Sequence, residues 1–346
     1  MTPGTWLDLS TVGGIGANTT IQSVFPSPTP PGATGPAAVT LAYSGGAFDT
    51  TNNRLMAWGG GHTDYGGNEV YEFFPTDLQW HRVWGPTPNA QITTSSDVYA
   101  DGNPASRHTE AALSFGNGKF YSTAGCNYSS CNQIQSTWVL DIGSLTWTAQ
   151  ASPSAQINQI HVNFFNPNDG NVYVEAGNTA SQGALFKYTV ATNTWSCIPV
   201  SCGAAAYSTG LGSSVSGSFD YVNNRLFIAN GGQPFYYRNI LTGAGAALSP
   251  TGTMTCPNSE GPLMVFYPKN TSSLCVDTKD GDPNVYEFND SITSPAITTH
   301  VATGGPPAEN VGGQATMGRG QWDAFHGVLI VCTGYNHAVF VYKPNF

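Results

Sequence analysis

"FDTTNNRLMAWGGG", residues 48–61, and "FDYVNNRLFIANGG", residues 219–232, are two copies of one pattern within a chain of 346 residues. Each has an aromatic–Asp pair, a turn ending in two asparagines, and an apolar strand that closes on glycine. Their starts lie 171 residues apart, three times 57, and six units of 57 span 342 residues, so the pattern predicts six repeats.

The remaining copies emerge from a second signal, a strand in which aromatic and β-branched residues alternate with polar ones. It recurs as "NEVYEF" from 68, "QSTWVLD" from 135, "GALFKYT" from 183, "PFYYRNI" from 234, "PNVYEFN" from 283 and "HAVFVYK" from 337. A hairpin precedes each of these. A fourth strand follows, marked by tryptophan in "LQWHRV", "LTWTAQ" and "NTWSCIP", and weaker in "GAALSP" and "AITTHVA". Four strands joined by short turns make an antiparallel meander. The sixth unit stops at "VYKPNF" without a fourth strand, whereas "TWLDLS" near the N-terminus has that strand's tryptophan and no unit of its own. The ends therefore complete each other and leave no open sheet edge. The expected fold is all-β: one six-bladed β-propeller of four-stranded antiparallel blades over residues 1–346, closed by the N-terminal strand completing the last blade.

Composition agrees. Glycine at 41, proline at 23, 12% aromatic and only 9% charged residues suit many short strands and argue against helical bundles and disorder. With 21 acidic against 11 basic side chains, the formal charge of -10 repels a phosphate backbone, so no nucleic-acid partner is expected. There is no apolar run of about 18 residues, and "MTPGTWLDLS" lacks the basic region and apolar core of a signal peptide. Membrane insertion is not expected. Of seven cysteines, the close pairs Cys126 with Cys131 and Cys197 with Cys202 suit local disulfides and an oxidising exterior. Cys256 and Cys275 are scattered, and Cys332 in "GVLIVCTG" reads as a small buried thiol.

The double glycine after strand two, the aromatic in strand three and the tryptophan in strand four resemble kelch repeats. The resemblance covers all six units and is strongest in the first two or three. "GGGHTDYGGNEVYEF" (59–73) together with "SRHTEAALSF" (106–115) is also similar to bacterial and phage kelch-like proteins. Kelch repeats imply the propeller; they imply no single function, because sugar oxidases, lyases and adaptor proteins share them.

In such a blade the loops between strands two and three share a face with the connections from blade to blade. That rim gathers His62, Asp64 and Tyr65 from the first loop, and Tyr335 and His337 from the last. Arg107, His108, His161, Glu260 and Arg319 stand at entrances of channel-lining first strands and are expected to converge at the channel mouth. A lyase of acidic polysaccharides needs a cation beside the uronate and a His or Tyr to move protons. Arg107, Arg319, His108, His161 and Tyr65 supply those types without a motif that fixes their spacing. A kelch-type copper oxidase needs two tyrosines and two histidines on the metal. His62, His108, His161, Tyr65 and Tyr128 are present, but no spacing compels that assembly. The sialidase turn S-x-D-x-G-x-T-W is absent. Asp277, Asp280 and Asp282 crowd one loop and are the candidates for calcium, with a solvated turn as the alternative. No other cofactor is expected.

Few charges, neutral hydrogen-bonding loops and abundant Tyr and Trp favour a non-enzymatic binding or structural module built as an exposed scaffold. The resemblance to phage kelch-like proteins, with the missing signal peptide, implies a virion-associated or surface-exposed place for it, extracellular rather than intracellular. Its expected partners are a protein assembly or a surface glycan. The alternative is an extracellular polysaccharide lyase or other glycan-active enzyme using the channel-mouth His, Arg and Tyr residues. A third reading, an intracellular kelch adaptor, requires free thiols in the close cysteine pairs.

Overall fold

The repeated Phe-Asp-x-x-Asn-Asn segment makes the same turn both times. Asp49 Oδ1 accepts the amides of Thr51 and Asn52, and its Oδ2 accepts the Asn52 side-chain amide. Asp220 does the same with Val222, Asn223 and the Asn223 side chain. The following asparagines, Asn53 and Asn224, sit at φ of 55° and 56°, the left-handed region that Asn tolerates better than most residues. The motif is thus a hairpin turn written twice. A third version occurs at Asp323, which accepts the amides of Phe325 and His326 ahead of Gly327 at φ 64°.

The structure, a computed structural model, describes residues 1–346 apart from 15, 95, 129–130, 132, 155–156, 158–160, 177–183, 199–214, 231–234, 254–255, 257–260, 280 and 309–315. Six antiparallel sheets follow one another along the chain. Blade I runs Gly46–Asp49, Arg54–Ala57, Val70–Phe74 and Gln79–Trp84. Blade III comprises His161–Asn166, Asn171–Ala176, Leu185–Thr189 and Thr194–Ile198; blade IV comprises Val215–Asp220, Arg225–Asn230, Phe235–Asn239 and Gly245–Leu248. Blade V is Leu263–Tyr267, Ser272–Val276, Val285–Phe288 and Ile297–His300. Blade VI joins Gly320–Asp323, Val328–Val331 and Phe340–Lys343 to Thr5–Asp8, with Thr5 opposite Lys343 and Asp8 opposite Phe340. The expected six-bladed propeller and its closure are both present.

Blade II departs from the simple meander. Its second strand, Lys119–Asn127, is long and irregular between Thr123 and Gly125, where Ala124 has φ 52°. Two short inner strands, Arg107–His108 and Leu113–Gly116, pair with its two halves. This split carries His108 up beside the first loop of blade I.

The core lies between blades. Among the described residues there are six apolar clusters, one at each junction of neighbouring blades. Between blades I and II, Trp58 packs against Trp147 at 5.3 Å and edge-on to Phe120 at 6.4 Å. Burying each such side chain contributes about 1.5–3 kcal/mol, so the ring is held by side-to-side contact. Residues 9–45 have no strand periodicity, and those of them that the structure describes form a strap with short helical turns over blade I. Ile21 and Val39 of the strap are buried with Tyr71 and Trp80, and the Trp80 amide donates to the Asn18 carbonyl at 2.8 Å.

Cys126 and Cys131 form the expected local disulfide. Cys256 and Cys275, scattered in the sequence and given no partner there, are also disulfide-bonded, because the fold brings residue 256 against the second strand of blade V. The other expected pair, Cys197 with Cys202, falls partly outside the described residues. Cys332 is a free thiol, fully buried, and burial raises its pKa to about 11. Disulfides of this kind suit an oxidising environment. Among the described residues no helix is long and apolar enough to cross a membrane.

Candidate functional site

On the rim, the loop at residues 61–66 is clamped from both sides. The amides of His62 and Thr63 donate to the carbonyls of Asn127 and Tyr128 at 2.8 and 2.7 Å, which ties the blade I loop to blade II beside the Cys126–Cys131 disulfide. From the strap, Thr34 and Gly35 donate their amides to the Asp64 carbonyl, and Ala33 donates to that of Thr63. Gly61 has to be glycine: it sits at φ 58°, and a Cβ there would lie 2.3 Å from the His108 amide nitrogen.

Held this way, the loop brings His62 and Asp64 to His108. Asp64 Oδ2 lies 3.2 Å from His108 Nε2, while Oδ1 accepts the Thr34 hydroxyl at 2.9 Å. The rings of His62 and His108 are 5.1 Å apart and nearly perpendicular, and the Tyr43 ring also packs against His108 at 5.3 Å. His108 is buried, Asp64 partly exposed and His62 exposed. Burial opposes the Asp64 charge, but hydrogen bonds from His108 and Thr34 and the electrostatic attraction of the imidazoles beside it outweigh it, holding the carboxyl below its usual value. Burial lowers the pKa of His108 more than the Asp64 contacts raise it, so the ring is neutral at pH 7.

Tyr65 goes elsewhere. It is fully buried in the core between blades, where its hydroxyl and that of Tyr71 both donate to Glu69 Oε1, at 2.7 and 2.6 Å. Of the three polar residues in the first loop, Tyr65 fastens and His62 faces solvent. Asp64 does both: its backbone and Oδ1 hold the strap while Oδ2 meets His108.

Most of the other expected rim residues that the structure describes are held by contacts within the fold. Arg107 is fully buried over the Trp58 ring and donates to the Ala124 carbonyl at 3.2 Å, to Ser136 and to Asp97 at 3.1 Å. Arg319 is buried with Nη1 on the Ser44 carbonyl. His161 is buried with Nε2 at 2.9 Å from the Thr123 carbonyl. His337 bonds the Thr333 hydroxyl through Nδ1 at 2.9 Å, and burial lowers its pKa. The Tyr335 ring stacks on Phe25 of the strap at 6.1 Å. Asp277 Oδ1 accepts the Lys279 amide and Asp282 accepts the Asn284 amide and the Tyr286 hydroxyl, so each orders its own turn. Glu260 and Asp280 lie outside the described residues. Among the described residues, the one group of three His, Cys or acidic side chains close enough to share a cation is His62, Asp64 and His108.

The opposite end of the channel holds a feature the rim reading passes over. Phe48, Phe115, Phe165, Phe219, Phe266 and Trp322 occupy one equivalent position in all six blades, just before the last inner pair of each first hairpin. All six line a cavity of about 400 Å³ that touches every blade and so lies on the ring axis. Gly116 makes room for this collar, since a Cβ there would fall 2.2 Å from the Phe165 ring. Thr50, Ser114, Asn117, Asn163, Ser218 and Gln321 add neutral polar groups, and none of the described lining residues is charged. The signal was present in the sequence: an aromatic precedes the turn in every unit.

No protein-family model matches the chain, and no curated protein matches its sequence.

Proposed function

We propose that this propeller is a non-catalytic recognition module of the kelch type, acting outside the cell and holding a neutral glycan in the aromatic-collared end of its channel. The observation that carries this reading is the collar itself. Six aromatic rings from six blades surround a cavity whose polar groups are all uncharged hydroxyls and amides. A sugar offers C–H faces to rings and hydroxyls to Ser, Thr, Asn and Gln, so the lining suits it. The cavity also falls within the roughly 300–1,000 Å³ usual for small-ligand sites.

The same lining disfavours an acidic sugar, which would meet no cation there. An acidic-glycan lyase at the rim faces a related difficulty, because the guanidiniums of Arg107 and Arg319 are buried on backbone carbonyls. The His108–Asp64 pair is the observation that still favours a rim enzyme, since a neutral imidazole held by a carboxylate can move a proton.

Calorimetric titration with neutral and uronic oligosaccharides tests the reading. Binding of a neutral oligosaccharide, weakened at least about tenfold by Trp322→Ala or Phe266→Ala, both half-buried ring positions, supports it. The reading fails if no neutral glycan binds, or if both variants bind as tightly as the parent. Release of unsaturated ends from an acidic polysaccharide, abolished in His108→Ala, would replace it with the lyase.

A further inference from the structure

We propose that His62, Asp64 and His108 form a site for a single divalent first-row transition cation, of which zinc is the type, with at least one coordination position open to the solvent side. This site is on the rim, at the end of the channel opposite the collar, and stands independently of the glycan reading.

Geometry comes first. One donor atom from each residue lies within 4.8 Å of the other two. A cation with arms of about 2.0 Å in tetrahedral arrangement places its donors about 3.3 Å apart. His108 Nε2 and Asp64 Oδ2 already stand at 3.2 Å. His62 is the exposed member, and one of its ring nitrogens already lies within 4.8 Å of the other two donors.

The donor set then selects the metal. Two imidazoles and one carboxylate suit zinc, iron, nickel or copper and disfavour magnesium and calcium, which take oxygen donors.

The surroundings are those of a held site. Thr34 fixes one Asp64 oxygen and leaves the other toward His108, as outer partners of metal carboxylates do. His62 and Thr63 have φ of 41° and 63° and are pinned by their amides to blade II. If the His108–Asp64 hydrogen bond only fastened the loop, it would need no second imidazole. Neither ring nitrogen of His62 makes a hydrogen bond among the described residues, yet the ring stands against His108. Three protein ligands with an open side match zinc sites that take water or an outside group as fourth ligand.

The test is calorimetry and elemental analysis on the intact chain, stripped with a chelator and titrated with Zn²⁺, with Ca²⁺ and Mg²⁺ in parallel. The expected result is one Zn²⁺ per chain at micromolar affinity or better, with Ca²⁺ and Mg²⁺ at least about 100-fold weaker. His62→Ala, an exposed position where the fold is not at stake, lowers Zn²⁺ affinity at least about 100-fold; Thr34→Val lowers it about tenfold. His326→Ala, on the far face, leaves it unchanged. Absence of stoichiometric Zn²⁺ binding overturns the proposal, as does binding that survives His62→Ala while circular dichroism shows a native fold. Calcium binding as tightly as zinc overturns it too.

Discussion

Replacing Glu69 by glutamine should make the protein more stable at pH 8 while changing little at pH 4.5. Glu69 lies shortly after the rim loop, beyond Gly67 and Asn68, is 1% exposed, and accepts two phenolic hydroxyls on Oε1, while Oε2 has no hydrogen-bond partner. Burial raises its pKa, more than the hydrogen bonds from Tyr71 and Tyr65 lower it. A carboxyl whose folded pKa lies above the unfolded value of 4.5 keeps its proton in the fold after the unfolded chain has lost it. Stability therefore falls as pH rises from 4.5 to the folded pKa, by up to about 1.4 kcal/mol for each pH unit crossed, and is level beyond it. Glutamine retains the accepting oxygen, has no proton to lose, and removes this slope. Glu69→Leu instead orphans both hydroxyls, at about 1–3 kcal/mol each. Denaturant titrations of the three proteins at pH 4.5, 6 and 8 measure the effect. The reasoning is refuted if Glu69→Gln keeps the parent's dependence on pH, or if it loses as much stability at pH 8 as Glu69→Leu.

Two further outcomes follow from the packing. Arg238 of blade IV grips Glu175 of blade III with two hydrogen bonds, at 3.0 and 2.6 Å, and both side chains are fully buried. Glu175→Gln should cost about 3–5 kcal/mol in denaturant melts, while Glu175→Leu with Arg238→Met recovers most of that, because an apolar pair needs no desolvation of charge. Cys256 and Cys275 close a loop with a sequence separation of 19. Cys275→Ser should lower stability by about 3 kcal/mol, and peptide mapping without reductant should find Cys332 as a free thiol and Cys256 linked to Cys275.

The blades were legible because their turns are chemically demanding. A turn that needs a carboxylate at its first position and a left-handed residue at its last leaves Asp and Asn in the sequence wherever it recurs, as at Asp49 and Asn53 or Asp220 and Asn224. The ring closure was legible for a related reason, since a fourth strand was lacking at one end and present at the other. What escaped was whatever depends on backbone acceptors. Arg107 and Arg319 read as cations available at the channel mouth, but buried carbonyls of Ala124 and Ser44 receive them, and a sequence does not display its carbonyls. The strap escaped because it has neither helical nor strand periodicity. Of the candidate site, the sequence supplied His62, Asp64 and His108 but not their union, which depends on the split inner edge of blade II.

Ring closure by Thr5–Asp8 also sets an order in time. That strand emerges from the ribosome long before Phe340–Lys343, its partner, and at about 5–20 residues per second the wait is roughly 20–70 s. Throughout it, the first strand has no sheet to join. A newly made chain therefore passes through a stage with two complementary free edges, one at each end of the incomplete ring. In a dilute solution these meet within one molecule. At high concentration the same edges are matched between molecules, so crowded refolding should yield dimers that exchange their first strands, each ring latched by its neighbour.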